Sequence, residues 1–144
     1  MSDLQKNLKE AIFNVMEQMF FFLPDEETAQ GSPDIDVYIG ITGDPQYLIS
    51  LFFDKMLAGR MATNLLGMEN FDLDDETVRK NLQEAANIIG GRFLLSFENS
   101  ENRNVTLPSL DHSKIFPGSS PIEAVELTVS YDSCPLRAKI EVVK

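Results

Sequence analysis

Two segments near the C-terminus alternate strictly between apolar and polar residues. Val125, Leu127, Val129 and Tyr131 fall at every second position of Glu123–Tyr131, and Ala138, Ile140 and Val142 do the same within Leu136–Val143. Successive side chains of a strand point to opposite faces, so this pattern makes a ribbon with one face to be covered. The short turn at Asp132–Pro135 returns the chain antiparallel. Whatever else the chain does, it must supply elements that cover that face. Its N-terminal part has the right period for helices: Leu4, Leu8, Ile12, Val15, Met16, Met19 and Phe20 recur at helical spacing from Asp3 to Leu23, ahead of Pro24.

The remaining segments read in the same way. Asp25–Asp34, with Gly31 and Pro33, is a loop. Ile35–Ile41 and Tyr47–Phe53 are β-branched and aromatic, and Gly43-Asp44-Pro45 between them predicts a hairpin. Lys55–Leu66 returns to helical spacing through Met56, Leu57, Met61 and Leu65, and Gly67 stops it. Asp72–Glu76 places negative charge on the first turn of a third helix, with Asp74 or Asp75 as its cap. That DLDDE run lacks the glycine and distal glutamate of an EF-hand, so capping is the preferred reading over calcium binding. The third helix runs from Asp75 to about Phe97. A short strand over Asn104–Leu107 precedes Pro108. The predicted fold is an α/β (α+β) sandwich, a mainly antiparallel sheet packed with long helices, in a single domain over 1–144.

Bulk properties exclude several functions. The chain has 144 residues, 12 Lys+Arg against 23 Asp+Glu, and a net charge of -11. It has no basic run to neutralise phosphates, which argues against nucleic acid and against an anionic membrane surface. The longest apolar run, Met19–Leu23, is far below the roughly 20 residues that span a bilayer. The single cysteine, Cys134, makes no internal disulfide, and with no signal-peptide pattern a reducing cytoplasm is expected. The Asn104-Val105-Thr106 sequon carries no meaning there.

A weak internal repeat relates Leu8-Lys9-Glu10-Ala11-Ile12-Phe13 to Leu82-Gln83-Glu84-Ala85-Ala86-Asn87. At 100° per residue the third helix turns Val78, Leu82, Ala85, Ile89 and Phe93 to one side, and Thr77, Lys80, Glu84, Asn87 and Gly91 to the other. Glu84 and Asn87 are therefore neighbours on an outward stripe. Ala85, Ala86, Gly90 and Gly91 add little bulk around them, although each glycine costs a helix about 1 kcal/mol. On residues alone the pair reads either as a solvated face or as a chemical device. As a device it is limited: an amide orients a water without deprotonating it, and a carboxylate pairs with a cation. The only histidine, His112, has no nucleophile motif beside it and reads as structural. The pair therefore suits a reaction whose metal and electrophile come with a partner, such as hydrolysis of a phosphoryl group on another protein.

The segment ENFDLDDETVRKNLQEAANIIGGRF resembles the centre of the CheC/CheX family of chemotaxis phosphatases, and LAGRMATNLLGME resembles the helix before it. With the strands and Pro108, the resemblance spans most of the chain. It implies hydrolysis of the aspartyl phosphate of a CheY-like response regulator, with Asn87 orienting the attacking water and Glu84 pairing with the regulator's lysine. It further implies no cofactor or metal of the chain's own, Mg²⁺ on the regulator, and a homodimer joined through sheets. Lys80 and Gly91 lie beside the pair on the partner-facing stripe, and Lys80 stands where the family often has Ser or Asp. Phe13 occupies the Asn position of the first repeat, so one motif remains and the chain resembles CheX. The competing readings are a non-catalytic module that binds a phosphorylated regulator or a flagellar-switch partner, and an unrelated structural role.

Overall fold

The computed structural model describes residues 3–67 and 73–144. The elements follow in the order α1 (Asp3–Phe20), β1 (Ile35–Ile41), β2 (Gln46–Phe53), α2 (Lys55–Leu66), α3 (Asp75–Leu94), β3 (Pro121–Tyr131) and β4 (Cys134–Val143). The four strands form one antiparallel sheet in the order β1-β2-β4-β3. Each half of the chain contributes a helix followed by a hairpin, and β2 meets β4 at the centre, so the topology carries the internal repeat. The three helices cover one face. α1 lies on β3, α3 on β1 and α2 on β4, and the helices also pack on one another.

Alternation decides what goes inside. Ile39, Ile49, Leu51, Ala138 and Ile140 of the sheet are fully or almost fully buried with Leu8, Ile12 and Met16 of α1, Leu57 and Met61 of α2, and Leu82, Ala85, Ile89 and Phe93 of α3. Full burial of a large aliphatic or aromatic side chain contributes roughly 1.5–3 kcal/mol, so this layer dominates stability. The opposite face is not wholly open. Leu48 and Val143 are buried there beneath Ile115, with Tyr38 and Phe116 packed around them. A methyl group at Gly40 would meet the Phe116 ring at 2.7 Å, so the glycine lets that loop close on β1.

Several boundaries differ from expectation. α1 ends at Phe20 rather than running to Leu23. Phe21 adopts φ 62° and the Phe22 N–H donates to Met16 O at 3.0 Å, which reverses the chain and buries Phe22 edge-on to Tyr131. A left-handed Phe is unfavourable, and its neighbour's burial offsets that cost. The strand expected over Asn104–Leu107 is reduced to single bridges, Ile41 with Val105 and Tyr38 with Ser109, along the edge of β1. Thr106 explains part of this: its Oγ1 accepts from Gly40 N at 2.9 Å in place of regular pairing. α3 stops at Leu94, short of Phe97. The C-terminal hairpin uses only Asp132 and Ser133 as its turn, both at positive φ, the backbone that matches strand twist in two-residue loops. β4 therefore starts earlier than expected, and its Pro135 lies just before pairing with β2 begins at Leu136, where a missing N–H does no harm.

Candidate functional site

α3 is held rigidly from both ends and from below. Asp74 is its cap, accepting from Thr77 N at 2.8 Å, and hydrogen bonding by the Thr77 side chain and backbone holds the Asp74 carboxyl below the usual carboxylate range. Asp75 and Glu76 occupy the positive end of the helix dipole and Arg92 the negative end. Asp72, the first residue of the expected acidic turn, lies outside the described residues. Beneath, Leu82, Ala85, Ala86, Ile89, Gly90 and Phe93 are buried. A Cβ at Gly90 would approach Val105 at 3.2 Å and Ile39 at 3.3 Å, so this glycine allows α3 to settle against β1 and the segment beside it. Ala85, Ala86 and Gly90 thus serve packing. For Gly90 this close packing is the compensation that two glycines in one helix call for, and of the four small residues only Gly91 shares the outward stripe.

That outward stripe is present as the periodicity predicts. Lys80, Glu84 and Asn87 are exposed, while Thr77 and Gly91 are half-buried. Glu84 and Asn87 stand one turn apart, about 4.5 Å along the axis, and neither hydrogen-bonds or ion-pairs with another described residue. Lys80 is engaged by Glu76, Nζ to Oε1 at 3.2 Å, one turn back. The order Glu before Lys favours that pair over Lys80 with Glu84, which leaves the Glu84 carboxylate unneutralised. The Cβ position of Gly91 meets nothing within 4 Å.

The repeat gives a control within the chain. Phe13, which takes the place of Asn87 on α1, is half-buried against the core, with Lys9 Nζ 5.5 Å from its ring centre. The α1 copy therefore lacks an amide at the position that Asn87 holds on α3.

No alternative chemistry competes strongly. Among the described residues, no three His, Cys, Asp or Glu side chains converge to hold a metal ion. His112 sits in a short turn with its ring edge-on to Tyr38 at 5.2 Å, as a structural histidine would. Cys134 is buried, and burial pushes its thiol up, away from a reactive thiolate. A cavity of about 770 Å³ lies between the starts of α2, α3 and β1, lined by Asp34, Asp54, Lys55, Met56, Asp75 and Arg79 among others. Neither Glu84 nor Asn87 borders it, and its lining mixes the carboxylates of Asp34, Asp54 and Asp75 with the cations of Lys55 and Arg79.

Two buried polar residues escape sequence reasoning, one beside the pair on α3 and one at the β1–β2 turn. Asn81, one turn before Glu84, is buried, and its Nδ2 finds no partner. Its place at the edge of the apolar face was the available signal. Arg103 is also buried, donating to Pro45 O at 2.6 Å, with its guanidinium 5.2 Å from the Tyr47 ring and 4.8 Å from the Phe97 ring. Nothing in its local sequence marks it.

The structure thus displays an exposed Glu–Asn pair on a helix packed on the sheet, outside the cavity at the starts of α2, α3 and β1. The sequence matches the family described as chemotaxis phosphatase CheX over residues 35–126. The chain belongs to the CheX family of chemotaxis phosphatases. Among solved structures, the chemotaxis protein CheX of Vibrio vulnificus is similar with a TM-score of 0.76 at 18% identity, over 99% of this chain and 97% of that one. CheX of Desulfovibrio desulfuricans gives 0.74 at 18% identity, over 99% and 100%. The chain matched in the CheX–CheY–BeF3–Mg²⁺ complex of Borrelia burgdorferi gives 0.68 at 22% identity, over 99% and 98%. No curated protein sequence matches. Among the described residues, no helix is long and apolar enough to cross a membrane.

Proposed function

We propose that this chain hydrolyses the aspartyl phosphate of a CheY-type response regulator, with Asn87 and Glu84 as its catalytic residues. Membership of the CheX family supports phosphatase chemistry, and the Borrelia complex pairs a protein of this fold with CheY in the presence of BeF3 and Mg²⁺. The observation that carries the residue assignment is the unpartnered Glu84–Asn87 turn on the exposed face of α3.

The two side chains divide the work. Asn87 enters the regulator's phosphorylation site, where its amide both donates to and accepts from a water and aligns it with phosphorus. The water oxygen forms the new P–O bond, the bond to the aspartyl oxygen breaks, and the products are inorganic phosphate and a free carboxylate. Glu84 pairs with the regulator's lysine beside the phosphate and fixes the approach. Mg²⁺ belongs to the regulator, where it neutralises charge on the phosphoryl oxygens; this chain supplies no cofactor.

In this reading residues 1–144 form one CheX-type unit, acting in the cytoplasm as a symmetric homodimer. β3 is the candidate edge for dimerisation. It is long, its outer half from Pro121 to Ala124 is exposed, and it pairs only with β4 among the described strands. β4 itself is interior and offers no edge, while segment 105–109 bridges along β1. The functional test is phosphate release from purified CheY phosphorylated with acetyl phosphate. Adding the chain at sub-stoichiometric concentration should accelerate release. Binding to CheY without acceleration would overturn catalysis and leave a binding module.

A further inference from the structure

We propose that Gly91 is a clearance that keeps Asn87 uncovered and lets the regulator's receiver surface close on the α3 backbone. The inference rests on the functional reading above and extends it to a residue that fixes how closely the partner seats. Two adjacent glycines inside a helix need explanation, since glycine is the poorest helix former apart from proline. Gly90 has one within the chain, the close approach of Val105 and Ile39. Gly91 has none. A Cβ there would meet no atom within 4 Å, and its backbone is not left-handed.

Helix geometry says what a side chain at 91 would do. Side chains on a helix lean toward its N-terminus and cover the preceding turn. Gly91 lies four residues after Asn87, on the same stripe, so any longer residue would lie over the Asn87 carboxamide and hold a partner away from it. The repeat provides an independent observation. Extending the match of Leu8–Phe13 with Leu82–Asn87 sets Met16 opposite Gly90 and Glu17 opposite Gly91. Met16 is fully buried and Glu17 exposed. The α1 copy lacks the catalytic amide, and at the clearance position it carries a long, outward side chain.

The test compares Gly91→Ala, Gly91→Leu and the control Glu17→Leu on CheY phosphorylated with acetyl phosphate. Gly91→Ala and Gly91→Leu are expected to melt no lower than wild type. Gly91→Leu should raise KM at least tenfold and lower kcat as well, since the leucine also covers the Asn87 carboxamide; Gly91→Ala should raise KM about threefold, and Glu17→Leu should match wild type. A KM for Gly91→Leu within twofold of wild type overturns the clearance while leaving the phosphatase reading intact. If Gly91→Leu does not fold, an unchanged KM for Gly91→Ala overturns it equally. An inactive wild type would overturn the phosphatase reading, and the clearance with it.

Discussion

Two residues carry charge in opposite circumstances, and their substitutions should fail in opposite ways. Glu84 is exposed and unpaired, so removing its charge should leave the melting temperature unchanged. Glu84→Gln should nevertheless raise KM for phosphorylated CheY about tenfold, near 1.4 kcal/mol, because a charge-assisted contact across the interface is lost. The difference from wild type should shrink in high salt. An effect confined to kcat and indifferent to salt would contradict the ion-pair role. Arg103 is the reverse. Its guanidinium donates to Pro45 O and lies over the Tyr47 and Phe97 rings, which themselves stack 5.1 Å apart, tying the segment after α3 to the β1–β2 turn. Arg103→Ala should cost roughly 3 kcal/mol in denaturant unfolding, since it strands the half-buried Pro45 carbonyl and empties packed space. Arg103→Lys should recover only part, because an ammonium cannot replace the planar fork. A loss below about 1 kcal/mol would show that the arginine is dispensable.

α3 carries the proposed catalytic pair, and its start is set by Asp74. The folded carboxyl is held below its ordinary value chiefly by hydrogen bonding from Thr77, so its contribution is complete above the unfolded aspartate pKa, near 3.9, and is lost as pH falls through the lowered folded value. Asp74→Ala should therefore lower the melting temperature at pH 7, and the gap to wild type should close as the solution is acidified below pH 4. A gap that persists at low pH would mean that the charged cap is not its source. Helices and strands with a clear period were legible in the sequence. The outward Glu84–Asn87 turn follows directly from 100° per residue, and the C-terminal hairpin from alternation. What was hidden depends on contacts distant in the chain. Phe21 turns left-handed because Phe22 finds Tyr131 far along the sequence, Val105 makes only a bridge because Thr106 bonds Gly40, and Asn81 and Arg103 are buried by elements their neighbours do not reveal. Which of the two glycines packs was hidden likewise, since smallness alone does not tell packing from clearance, and it is the distant Val105 and Ile39 that close on Gly90.

At the scale of the molecule, helices cover one face of the sheet and a loop closes part of the other, which leaves β3 as the long exposed edge. One proposed motif per chain and the exposed β3 edge fit the proposed symmetric dimer with two separated sites. Sedimentation at tens of micromolar should show twice the monomer mass of 16.2 kDa. Substituting Pro for Glu123 or Val125 should shift the protein toward monomer if β3 forms the interface. A wild-type monomer would contradict the assembly without touching the chemistry. The central claim is that a folded, CheY-binding chain loses hydrolysis when one outward amide is removed. Its most direct test is phosphate release from phosphorylated CheY by wild type and Asn87→Ala, with affinity for CheY loaded with BeF3 and Mg²⁺ measured on the same preparations. Asn87→Ala should fold as wild type does, bind within a few-fold of wild-type affinity, and release phosphate about a hundredfold more slowly, as expected for loss of a positioning group. Wild-type release by Asn87→Ala would contradict it.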